Sequence, residues 1–346
     1  MFICPKALLT YLLRFDKMTM YGFSLKYLER VDNCMAKYGY GVDIGGTMVK
    51  MGLFTTEGEL LEKWSIPTNI EDEGVNVIPD IAASINANIE KHTLDKKDII
   101  GIGMGVPGIV EKGGFITCVN LGWKDHPAIT RMRERTGLNV RCENDANLAA
   151  LGEVWQGAGK GKKDVVMITL GTGVGGGIVL DGKLRSGFHG SAGELGHIPV
   201  NPRETRLCNC GNRGCLEFYA SANGNVRLAK DVLNETDMDT PLRSIEHLDS
   251  KILWDLAIEG DPVAVDISEK FCNYLGLGLA MIANIIDPEM ILIGGGVSRT
   301  GEPLRAKIEK YYRGYAFKPV KHIDIAIATL GNDAGIYGCV KYLLDE

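Results

Sequence analysis

Along this chain the alternation of apolar and polar positions becomes regular at about residue 40. From there Tyr40-Gly41-Val42-Asp43-Ile44 reads as a strand and residues 48–54 as a second, joined by the turn Gly45-Gly46-Thr47. A third strand follows Thr56-Glu57-Gly58. The same grammar returns later, with a strand over 164–170, the turn Gly171-Thr172-Gly173, a strand over 176–180 and the hairpin turn Asp181-Gly182. Two copies of strand, Gly-Thr turn and strand predict a duplicated architecture.

Between the copies the pattern predicts helices over 76–92, 128–136 and 146–155, with strands over 99–105 and 139–143. The second half carries a long apolar helix over 261–286, a buried-type strand over 290–293, a helix over 303–312, a strand over 323–328 and a closing helix over 333–344. Helices mixed with strands in this way imply α/β layers. The expected organisation is two lobes around a cleft, one from residues 40–156 plus 332–346 and the other from 157–331. Residues 1–39 stand apart. Their apolar run Ala7-Leu8-Leu9-Thr10-Tyr11-Leu12-Leu13 is too short to span a bilayer, and Phe15-Asp16-Lys17 makes a poor cleavage site. An added arm, or a start placed too early with Met18, Met20 or Met35 as the true one, is expected, and no function is assigned to it.

Composition narrows the class of ligand. The 346 residues are 45% hydrophobic and 24% charged, which suits a soluble globular protein with room for two compact units. A formal net charge of -6 gives no overall attraction toward nucleic acid or anionic membrane, so neither is expected as a partner and a small-molecule ligand is. Nine cysteines in a chain able to build its own core point to a reducing compartment, and hence to the cytoplasm.

Three glycine-rich sites invite a phosphate. Asp43-Ile44-Gly45-Gly46-Thr47 puts a carboxylate at a strand end and glycines in the turn, where backbone N–H groups can approach an oxyanion. Asp43 can hold Mg²⁺ directly or through water. Read alone, this is equally a tight hairpin; Gly171-Thr172-Gly173 supplies a second such turn. The stretch 171–176 also satisfies G-x-G-x-x-G, but a strand rather than a helix follows it, which excludes the dinucleotide fingerprint. Gly294-Gly295-Gly296, after the apolar strand, offers backbone against which an adenine or ribose could lie, or else a plain strand-to-helix turn.

Glu143-Asn144-Asp145-Ala146-Asn147 falls where a strand meets a helix, making Asp145 either a general base or a helix N-cap. In Gly101-Ile102-Gly103-Met104-Gly105-Val106-Pro107-Gly108 the glycines share one strand face, open to ligand or to tight packing. Asn120, in Asn120-Leu121-Gly122-Trp123, offers a sugar both a donor and an acceptor. His197 with Cys208, Cys210 and Cys215 supplies one imidazole and three thiolates, the donor set of a closed structural Zn²⁺ site. A loop fixed in that way would position Glu194 and Glu217 to accept hydrogen bonds from vicinal hydroxyls.

Together these residues resemble the ROK family of bacterial sugar kinases and repressors, especially its glucokinase branch. The resemblance runs from about Tyr40 to the end. It rests on Asp43-x-Gly-Gly-Thr47, Gly101-x-Gly-x-Gly-x-Pro-Gly108, Asn120-Leu-Gly-Trp123, Glu143-Asn-Asp-Ala-Asn147, Leu170-Gly-Thr-Gly-x-Gly-Gly-Gly177, Gly193-Glu-x-Gly-His197 and Cys208-x-Cys-Gly-x-x-Gly-Cys-x-Glu217. It implies an actin-like, ribonuclease-H-type fold in two lobes, a homodimer or homotetramer, and Mg·ATP as phosphoryl donor to the 6-hydroxyl of glucose. It also implies Asp145 as base, Asn120, Asn144, Asp145, Glu194, His197 and Glu217 around the sugar, and a structural Zn²⁺ on His197, Cys208, Cys210 and Cys215. N-acetylglucosamine, N-acetylmannosamine, fructose and allose are the competing substrates, and polyphosphate the competing donor. A sugar-responsive repressor is the rival of a different class. Forty residues without a helix-turn-helix pattern are too few for its DNA-binding module.

Overall fold

The computed structural model describes residues 36–111 and 113–345; the apolar run at 7–13 and the candidate start methionines lie outside them. Strands β1 (Tyr38–Ile44), β2 (Met48–Thr55) and β3 (Leu60–Pro67) form an antiparallel meander. Helix α1 (Val77–Lys91) leads to β4 (Ile99–Val106), which lies parallel to β1. A small sheet of β5 (Ile109–Val110), β6 (Ile116–Cys118) and β7 (Trp123–His126) follows. Helix α2 (Ala128–Thr136) then precedes β8 (Val140–Asn144), which is parallel to β4. The first sheet therefore has the order β3-β2-β1-β4-β8. Its central strand is covered on both faces, Tyr40, Val42 and Ile44 filling the core on one and Gly41 lying under the Ile336 backbone of the closing helix on the other, whereas β3 alternates between half-buried and exposed positions, as an edge strand should.

After α3 (Asp145–Gln156) the plan repeats. Strands β9 (Val165–Leu170), β10 (Val174–Leu180) and β11 (Lys183–Leu184) make a second meander, and Asp181 and Gly182 take the left-handed conformation its hairpin turn requires. Helices α4 (Leu216–Ala220), α5 (Ala222–Glu235), α6 (Ser250–Glu259) and α7 (Pro262–Ile286) come next. They are followed by β12 (Met290–Gly294), α8 (Glu302–Tyr315), β13 (Asp324–Ile327) and α9 (Ala334–Leu344). Strands β12 and β13 add in parallel, giving β11-β10-β9-β12-β13. The second order reproduces the first strand for strand, so the duplication expected from the two Gly-Thr turns is present. Mixed α/β sheets in this arrangement are consistent with an actin-like ATPase fold. The strand after the second glycine turn begins at Val174, two residues earlier than the pattern indicated.

Close helix packing explains the glycine-rich strand. A Cβ on Gly103 would lie 2.0 Å from the Cys339 carbonyl of α9, and one on Gly338 of α9 would lie 1.7 Å from the Leu148 carbonyl of α3. Of the two uses open to the face at 101–105, the fold employs it for packing α9 and α3, not for a ligand. Helix α7 starts with Pro262 at its first position and the Asp261 side chain accepting from the Ala264 amide, and it ends at Asp287 in the left-handed region. Its Ile267, Phe271, Leu275 and Leu279 fill the core beneath the second sheet. Among the described residues no helix is long and apolar enough to cross a membrane, and the cysteines are all free thiols.

Candidate active site

Asp43 lies near the end of β1, paired in register with Lys50 of β2 and Gly105 of β4. The turn beyond it is closed by the Gly45 amide donating to the Met48 carbonyl at 3.1 Å and braced by Thr68, whose hydroxyl donates to the Gly45 carbonyl at 2.7 Å. Gly46 and Thr47 stand exposed at its tip. Across from this turn, Gly171 and Gly173 bend the chain between β9 and β10. A cavity of about 420 Å³ is lined by Asp43, Lys50, Asp145, Gly171, Gly173 and Glu217, whereas Gly45, Gly46 and Thr47 lie outside its lining. Gly295 borders the same cavity with φ of +84°, a conformation glycine adopts without strain. Gly294 is buried at the end of β12 and Gly296 is exposed, so of that triplet the central residue faces the cavity. Thr172 opens on a small adjoining recess with Cys208 and Glu217.

Asp145 is not the helix cap. Asn144 takes that position with extended backbone, and its side-chain oxygen accepts from the amides of Ala146 and Asn147. Its side-chain amide donates to the Gly108 carbonyl at 3.2 Å, leaving one amide hydrogen for a ligand. Asp145 is thus the first helical residue, held by the Ala146 amide at 2.8 Å and aimed into the cavity. Burial, then the charges of Asp43 and more weakly Glu194, push its carboxyl up to about 6, against the pull of the Ala146 amide. Burial also raises Asp43, and Lys50 opposes that rise from 3.4 Å. Beneath them Glu143 is buried, accepting from the Asn144 amide at 2.9 Å, the Asn147 side chain at 3.2 Å and the Ser186 hydroxyl at 2.5 Å.

Glu217, early in α4, accepts from the Val174 amide at 2.9 Å. A Cβ on Gly173 would lie 2.4 Å from the same carboxylate, so glycine there lets the 171–173 turn pass close to it. Glu194 is exposed, with its carboxylate 3.8 Å from Nε2 of His197. Nδ1 of His197 is buried without a partner. Asn120 sits exposed in the short turn Val119–Leu121 before β7. The ligand atoms of His197, Cys208, Cys210 and Cys215 all lie within 4.8 Å of one another, and the Cys210 and Cys215 sulfurs are 3.6 Å apart. Three soft thiols converging with an imidazole that has an unmet nitrogen is a donor set suited to a tetrahedral metal. Gly214 permits the crossing, since a Cβ there would stand 1.9 Å from the Asn201 carbonyl.

The cavity also contains residues outside the sequence-based site. Lys50 brings it a cation, and Asn332 a backbone carbonyl that accepts from the Lys50 ammonium at 3.3 Å. A lysine on an amphipathic strand carries no signature of its own; its register opposite Asp43 was the available clue.

The sequence profile of the ROK family matches residues 39–346. This chain belongs to the ROK family. It is 45% identical over 304 residues to a glucokinase of Halalkalibacterium halodurans, an alignment covering 86% of this chain and 92% of that protein. A crystal structure of a ROK family glucokinase from Streptomyces griseus in complex with glucose and AMPPNP superposes with a TM-score of 0.72 at 36% identity, covering 89% of this chain and 100% of that one. Repressors of the family are also similar: a putative xylose repressor of a Caldicellulosiruptor species is 29% identical over 311 residues, which span 88% of this chain and 78% of the repressor.

Proposed function

We propose that this ROK protein is an ATP-dependent hexokinase of the glucokinase type, transferring the γ-phosphoryl group of ATP to the 6-hydroxyl of glucose. The observation that carries this reading is Asp145, a carboxyl raised to about 6 in the same cavity as Asp43, Lys50 and the glycine turn 171–173. A base with that affinity is ionised at neutral pH yet accepts a proton readily, which is what a sugar alcohol needs as its oxygen attacks phosphorus. The identity to glucokinases over most of the chain supports glucose as acceptor, and the AMPPNP bound to the Streptomyces griseus enzyme supports ATP as donor.

In this reading two lobes, residues 40–156 plus 332–346 and residues 157–331, carry the two sheets of an actin-like, ribonuclease-H-type fold and close over the substrates. Asn120, Asn144, Glu194, His197 and Glu217 hold the sugar while Asp145 takes the proton from its 6-hydroxyl. The amides of Gly46, Thr47, Thr172 and Gly173 would receive the phosphates, those of Gly45 and Gly171 being spent on the Met48 and Gly173 carbonyls that shape the two turns, and Gly295 would face the nucleoside. Asp43 would hold Mg²⁺, whose charge neutralises the transferring phosphoryl oxygens. His197, Cys208, Cys210 and Cys215 would hold Zn²⁺, which with four protein ligands has no open position and serves to stiffen the loop bearing Glu217. The enzyme is proposed to act in the cytoplasm at the entry of glycolysis, as a homodimer or homotetramer. A coupled ADP-release assay over glucose, fructose, allose, N-acetylglucosamine and N-acetylmannosamine tests the proposal. Glucose should give the highest kcat/KM; higher turnover of an N-acetylhexosamine would move the assignment, and silence on all five would remove it.

A further inference from the structure

Glu153, in the last turn of α3, is completely buried, and among the described residues it forms no ion pair. Burying a carboxylate without a cation is costly unless donors replace its water. The donors come from two distant segments. Oε2 accepts from the Ala158 amide at 2.8 Å, the Thr329 amide at 3.1 Å and the Thr329 hydroxyl at 3.4 Å, while Oε1 accepts from the Leu330 amide at 2.7 Å. The Glu153 backbone carbonyl accepts from the amides of Gly157 and Gly159, each at 3.0 Å. A Cβ on Gly157 would stand 2.0 Å from Oε2, so only glycine lets the chain pass over the carboxylate there.

These two segments are where the chain leaves α3 for the second sheet and where it comes back from β13 to α9. Each leads to the cavity. Asp145 begins the helix whose last turn holds Glu153, eight residues and about 12 Å away along its axis. Leu330 is followed by Gly331 and Asn332, which line the cavity, and the Asn332 carbonyl holds the Lys50 ammonium facing Asp43.

We infer that Glu153 is a positioning residue that pins both crossovers to one point, so that the two sheets turn about a single hinge and Asp145 keeps its place relative to the 331–332 strip. The inference rests on the kinase reading for its catalytic consequence and on the geometry alone for the hinge. Glutamine in place of Glu153 keeps the size but has one acceptor oxygen and one donating amide, so N–H would face N–H on one side. Glu153→Gln should lower kcat about ten-fold or more and raise the KM for ATP several-fold, leaving glucose affinity within about two-fold. It should also blunt the contraction on adding glucose plus a non-hydrolysable ATP analogue, read by small-angle X-ray scattering. Gly157→Ala, which pushes a methyl group onto the carboxylate, should give the same split and serves if the first variant folds poorly. Thr329→Val keeps the amide and should behave as the parent. A folded Glu153→Gln or Gly157→Ala protein with parental kinetics and contraction, or one changed only in Tm, would overturn the inference. A parent inactive on every hexose would count against the kinase reading instead, with the scattering comparison still deciding the hinge.

Discussion

Lys50 and Asp43 face each other across the first hairpin, the ammonium 3.4 Å from the carboxylate, with the Lys50 Nζ also donating to the Asn332 carbonyl on the segment returning to α9. A half-exposed pair of this kind contributes about 0–1 kcal/mol to stability, so its consequence lies in the cavity's charge. Lys50→Met should therefore leave Tm nearly unchanged while lowering kcat/KM for ATP about ten-fold or more. Thermal melts and initial rates on the same preparation check this; a large fall in Tm with normal kinetics would assign Lys50 to the scaffold.

Removing the charge of Asp145 separates binding from chemistry. Asp145→Asn should retain sugar affinity within a few-fold and lose about 10²–10⁴ in kcat. Calorimetric titration with glucose and single-turnover rates decide it, and an unchanged kcat would take Asp145 out of the base role.

The same carboxyl sets a pH profile. Its folded value, about 6, is above the ordinary 3.8, so kcat/KM should fall as pH drops through about 6 and level off above it. Stability runs the other way. The folded state binds this proton more tightly than the unfolded chain, so the contribution is fully present below the ordinary value and is lost as pH rises through about 6. Asp145→Asn should consequently melt higher than the parent at about pH 8, with the gap narrowing toward about pH 4. A gap independent of pH would refute the linkage.

Metal analysis of the purified chain should find about one zinc per polypeptide, lost in Cys210→Ser. Glucose affinity should weaken with the metal because Glu217 follows Cys215 by two residues, in the first turn of the helix that Cys215 precedes. Metal-free protein with parental glucose affinity would separate the cluster from the sugar site.

Gly103→Ala tests the packing of α9. The added methyl meets the Cys339 carbonyl at 2.0 Å, backbone on both sides, and should cost about 3 kcal/mol or more. Denaturant unfolding gives the number, and a cost below about 1 kcal/mol would show that α9 can shift.

Much of this was legible in the residues. Repetition of a strand, a Gly-Thr turn and a strand disclosed both meanders, and the runs of apolar residues at 99–105 and 290–293 located the parallel strands. Helix α5 escaped because its inner face includes Asn225, buried against the Ser250 hydroxyl at 3.0 Å, which breaks the apolar period. Helix α6 does carry end signals in the sequence, Asp249 as its cap and Gly260 at its end. Within the cavity the motif residues were visible as types in a pattern. Glu153 was not, since a glutamate on a helix looks like a solvated one until its partners, 176 and 177 residues away, are brought to it.

Glu217 has one carboxylate oxygen on the Val174 amide, just past the glycine turn, and the other 3.8 Å from the Cys208 sulfur. Any ligand drawing on that carboxylate would compete for the grip that shapes the 171–173 turn. One side chain thus couples the bend between β9 and β10 to the cysteine loop, so a displacement of either strand end or loop is felt by the other.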